Sequence, residues 1–73
     1  MQLPNKLYSY SESILPVMLE ISRELKHGNI KVSELYMKIK PGLKDSTDFI
    51  LAMDCLFALK IADINQNEEA YLC

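Results

Sequence analysis

Residues Asp48 to Leu59 read Asp-Phe-Ile-Leu-Ala-Met-Asp-Cys-Leu-Phe-Ala-Leu, and this stretch decides how the chain folds. Placed on a helix at about 100° per residue, Leu59, Ala52, Leu56, Phe49, Met53, Phe57 and Ile50 cover about half the circumference. Leu51 and Cys55 extend the apolar arc on one flank. Thr47, Asp54 and Ala58 form the only weaker stripe. A helix that is apolar on nearly every side has to be covered on nearly every side. The whole chain has 73 residues. A domain of that size buries only about 60% of the surface its unfolded chain exposes, so little of it is spare to wrap such a helix. The stretch is expected to form the centre of a small core and to leave an apolar surplus for another protein.

Working outward, Asp45, Ser46 and Thr47 are all competent to cap this helix, and Asp48 suits the positive end of its dipole. Before them, Pro41-Gly42 ends a shorter helix that uses Leu35, Tyr36 and Ile39 as its buried face. Ser33 is expected to cap that helix, with Val32 and Met37 as a hydrophobic staple. Asn29, Ile30 and Lys31 leave room for only a short strand. Gly28 closes a first helix as a positive-φ cap. In that helix Ile14, Met18, Ile21 and Leu25 line one stripe, widened by Leu15, Val17 and Leu19. Pro16 fits the first turn if Ser13 is the cap, so residues 1–12 are expected to be an extended arm and residues 13–73 the folded domain.

Beyond the apolar helix, Ile61-Ala62-Asp63-Ile64 and Ala70-Tyr71-Leu72-Cys73 flank the polar loop Asn65 to Glu69, which reads as a hairpin. The loop has no Gly, so two-residue primed turns are not expected. The order helix, short strand, helix, helix, hairpin predicts a single mainly α domain with a small β-hairpin, a winged helix. A three-helix bundle with a frayed tail is the alternative.

In a winged helix that binds DNA, the third helix reads base edges with Arg, Lys, Asn or Gln. Here it carries only Asp48 and Asp54 as charges. Net charge is −2, which gives no long-range attraction to nucleic acid or an anionic membrane. A small DNA-binding regulator remains the rival reading, and direct DNA contact is not expected. With 49% hydrophobic and 25% charged residues the profile is that of an ordinary globular domain. No apolar run reaches the roughly 20 residues that span a bilayer, and no secretory signal is visible. A cytoplasmic location is expected.

No catalytic, cofactor or metal site emerges, and no enzyme activity is expected. His27, the one histidine, reads as a helix-end residue favoured by the dipole. Ser9, Ser11 and Ser13 have no base placed to activate them. Cys55 and Cys73 read as small apolar residues rather than a disulfide or half a zinc site. Gly28 and Gly42 cannot make a phosphate-cradling loop. Lys38, Lys40, Lys44 and Lys60 read as a solvated face.

Three segments together resemble a known family: Leu3-Pro4-Asn5-Lys6, Ser11-Glu12-Ser13-Ile14-Leu15 and Ala52-Met53-Asp54-Cys55-Leu56-Phe57-Ala58-Leu59. They are similar to the small middle component of bacterial ABC-three-component systems. Those systems combine an SMC- or Rad50-like ATPase, an effector and a middle protein, and the Lamassu-type anti-phage systems are related. The resemblance implies a non-enzymatic winged-helix adaptor that bridges ATPase and effector in a hetero-oligomeric defence complex. The sequence departs from the family pattern at Lys60, where a Gly is expected to turn the chain into the hairpin; Lys adopts that conformation at a cost. On this reading Leu3, Lys6, Leu7, Tyr8 and Tyr10 lie on an arm laid against the partner, ordered only in the complex. Ile50, Asp54 and Phe57 form the interface edge of the third helix. Phe49, Ile50, Met53 and Phe57 are expected to be core residues that share that edge.

Overall fold

The computed structural model describes the backbone of residues 3–73 and the side chains of residues 12–73. The elements run α1 (Leu3–Leu25), β1 (Ile30–Lys31), α2 (Val32–Ile39), a 3-10 turn (Lys40–Gly42), α3 (Ser46–Ala58), β2 (Ala62–Ile64) and β3 (Glu69–Leu72). The strands form one antiparallel sheet in the order β1-β3-β2, with Ile30 opposite Ala70 and Ala62 opposite Leu72. The domain is therefore mainly helical with a small three-stranded sheet, an arrangement compatible with a winged helix. The paired tail removes the alternative of a three-helix bundle with a frayed end.

The stripes meet in one core. Ile14, Val17, Ile21 and Leu25 of α1, Leu35 and Ile39 of α2, and Phe49, Ala52, Met53 and Leu56 of α3 are all buried. Ala62 and Ala70 close it from the sheet. Their small side chains let the sheet approach the helices closely. Tyr36 and Phe49 join α2 to α3 edge to face, with ring centres 5.1 Å apart, a favoured aromatic geometry.

Three local readings are corrected. First, the segment read as an extended arm is helical, and α1 starts at Leu3 rather than after Ser13. Pro4 sits in the first turn, where its missing amide costs nothing. Leu3, Leu7, Tyr10 and Ile14 follow the helical spacing i, i+4, i+7, i+11. Pro16 lies inside the helix at an exposed position, where water can serve the carbonyl left without an amide. Second, Ser33 does not cap α2. The helix begins at Val32 with no side-chain cap, because the Val32 amide donates 3.0 Å to the carbonyl of Glu68. The hairpin thus takes up the first amide of α2. Met37 is exposed, so it makes no staple with Val32. Third, Leu15 and Leu19 do not widen the buried stripe. They are 50% and 59% exposed.

The two corners around the hairpin both use left-handed residues. Lys60 has φ +61°. Its amide donates to Phe57 and that of Ile61 donates to Leu56, both at 3.0 Å, the paired bonds of a Schellman cap. The cap takes the conformation that favours Gly and fills it with Lys. Glu68, also at φ +61°, ends a three-residue loop of the bulged hairpin type. Asn65 organises that loop. Its Oδ1 accepts from the amides of Asn67 (2.9 Å) and Glu69 (3.0 Å), and its Nδ2 donates to Glu69 Oε1 at 3.0 Å.

Candidate protein-interaction surface

The position of α3 is set at both ends. At its start Asp45 is the cap, and its carboxylate accepts the Thr47 amide at 3.1 Å. That bond holds the Asp45 carboxyl below the usual carboxylate range, because it stabilises the charged form. At its end the Schellman turn at Lys60 sends the chain into β2. With Phe49, Ala52, Met53 and Leu56 facing inward, the opposite side of the helix is fixed by the 100° step.

That outer side is apolar. Ile50 is 58% exposed and Leu59 62%; Leu51 and, just past the helix, Ile61 are also exposed. Cys55 is an exposed free thiol, and Asp54 and Ala58 are exposed beside it. No Lys or Arg lies between Asp45 and Leu59. Exposed apolar side chains thus gather on the side of α3 turned away from the core.

The expected site residues divide as follows. Ile50 and Asp54 lie on the outer face. Ile50, expected also to serve the core, does not belong to it. Phe57 is half-buried and packs against the core, so it borders the face rather than standing in it. Leu3, Lys6, Leu7, Tyr8 and Tyr10 belong to the first turns of α1, and their side chains lie outside the described part of the chain. Leu59 belongs to the apolar arc of the sequence, three residues after Leu56. The helix ends at Ala58, and the turn carries Leu59 out of the core. Leu15 and Leu19, one turn apart on α1, make a second exposed apolar pair that the stripe alone did not separate from the core.

Between α1 and the start of α3 lies an open groove of about 210 Å³, lined by Glu12, Ser13, Pro16, Val17, Glu20, Gly42, Lys44 and Asp48. Its charged rim has three carboxylates and one amine. Among the described residues no His, Cys, Asp and Glu cluster has the makings of a metal site. Among them, too, no helix is long and apolar enough to cross a membrane. Lys38, Lys40, Lys44 and Lys60 are exposed. Lys38 reaches Glu24 at 3.5 Å, the one ion pair among the described residues.

Comparison with known proteins fits this picture. The family model for ABC-three component (ABC-3C) system Middle Component 7 matches residues 3–71. Neither the curated proteins nor the solved structures return a match. The family match agrees with the motifs at Leu3 to Lys6 and Ala52 to Leu59 and spans every element from α1 into β3. The chain therefore belongs to the Middle Component 7 family of ABC-three component systems.

Proposed function

We propose that the chain is a non-enzymatic adaptor that bridges an SMC-like ATPase and an effector in an anti-phage or anti-plasmid defence complex related to the Lamassu type. A middle component works within a multi-subunit system, which makes an adaptor role the natural one. The observation that carries the reading is the outer face of α3. The position that a DNA-reading winged helix fills with cations here holds Ile50, Leu51, Asp54, Cys55 and Leu59. Leu15 and Leu19 add a second apolar surface on α1, also turned away from the core, and an adaptor needs two contacts. We assign the first turns of α1, with Leu3, Lys6, Leu7, Tyr8 and Tyr10, to the α1 contact, and Ile50, Asp54 and the edge of Phe57 to the other.

The test is co-expression with the ATPase and effector of the same system, followed by affinity capture and size-exclusion chromatography. The expected result is a stable assembly containing all three chains. A chain that elutes as a monomer and ignores both would overturn the adaptor reading. Binding of the free chain to duplex DNA at micromolar protein, weakened by salt, would favour the DNA-binding alternative.

A further inference from the structure

We infer that the outer face of α3 seats an apolar surface of a different protein chain, and that this chain presents a Lys or Arg opposite Asp54. The inference rests on reading the protein as a subunit of a hetero-complex, and it names the face and the chemistry of the contact. Asp54 does not sit at the edge of the patch. It lies one turn after Ile50 and one turn before Ala58, with Leu51 and Cys55 on its flank and Leu59 beyond. Any surface that covers these side chains also covers the carboxylate.

Asp54 is exposed and has no ion-pair partner within the chain among the described residues. Covering it with a purely apolar partner strands a charge away from water, which is strongly unfavourable. A cation or a set of donors has to arrive with the partner. Nucleic acid brings the wrong sign. A second copy of this chain is disfavoured by symmetry. A two-fold axis through the centre of the patch brings the two Asp54 carboxylates together. A different chain with an apolar stripe and one well-placed cation meets none of these obstacles.

The experiment uses the chain alone and in complex with the other components of its ABC-three component system. Cys55 stands in the patch as a built-in reporter. N-ethylmaleimide labelling, read by peptide mass, is expected to modify Cys55 in the free chain and to slow several-fold in the complex. Unchanged labelling in an intact complex would overturn the face assignment and leave the adaptor reading standing. Failure to form any complex would overturn both. Asp54→Lys is expected to weaken the complex by about tenfold or more while leaving the free chain's melting unchanged or raised, because Lys suits a helix better than Asp. Wild-type affinity in Asp54→Lys would overturn the charge pairing. A dimer of the free chain that protects Cys55 would overturn the choice of a different chain as occupant.

Discussion

The inner and outer faces of α3 are made of nearly the same chemistry and do opposite work. Phe49, Ala52, Met53 and Leu56 are buried in the core, on the side of α3 that meets α1 and the sheet, while Ile50, Leu51 and Leu59 stand in water. Apolar composition alone therefore does not say which side of such a helix holds the domain together. Leu56 and Leu59 put the comparison on one residue type, at 1% and 62% exposure. Leu56→Ala removes a packed side chain and leaves a cavity, at about 3 kcal/mol, a large part of the roughly 4–11 kcal/mol that a chain of this length has to lose. Leu59→Ala is expected to change stability by no more than about 0.5 kcal/mol. Urea denaturation of the two variants measures both. Comparable losses would break the distinction between the faces.

Lys60 sits where the two faces end, and it sharpens the comparison from the side of the fold. Its φ of +61° places it at the position of a Schellman cap that Gly fills without strain. Nothing in the domain's own packing calls for a Lys there, since the residue is exposed. Lys60→Gly is expected to stabilise the isolated domain by about 1 kcal/mol, seen as a higher urea midpoint. The balance is between relief of left-handed strain and the greater freedom of Gly in the unfolded chain. A loss of stability would mean that the Lys60 side chain supports the fold, and that the boundary between the two faces lies elsewhere.

Much of this was legible in the chain. Phe49, Met53 and Leu56 declare the core by helical spacing, Gly28 and Pro41-Gly42 mark where helices stop, and the polar run from Asn65 declares a turn. Position 60 was readable as left-handed because the family pattern asks for Gly there. What escaped depends on contacts distant in sequence or on direction. The start of α2 is served by the Glu68 carbonyl, thirty-six positions away from Val32 in the sequence, so the nearby Ser33 was a misleading signal. Pro16 suggested a helix start because a proline inside a helix is costly, yet a helix running from Leu3 accommodates it at an exposed position. The apolar excess on α3 was visible as composition. Which residues carry it outward was not, because only the packing of α1 and the sheet against Phe49 and Leu56 fixes the rotation of the helix. The same holds for Leu15 and Leu19.

The start of α3 offers a third and smaller test, confined to the fold and remote from the outer face. The Asp45 carboxylate caps the helix through the Thr47 amide, and its pKa is lowered by that bond. A group whose folded pKa lies below its unfolded one contributes stability that is fully present above the unfolded value. That contribution drains away as pH falls through about 4 toward the folded value. Asn caps a helix about as well as Asp without titrating. Asp45→Asn is therefore expected to melt within a few degrees of the wild type at pH 7. Between pH 5 and 2.5 its melting temperature should fall less steeply than that of the wild type. Thermal melts across that range, followed by circular dichroism, read the difference in slope. Parallel acid slopes would mean that the charge on Asp45 adds nothing to the native state, and that the cap serves the Thr47 amide equally well whether ionised or neutral.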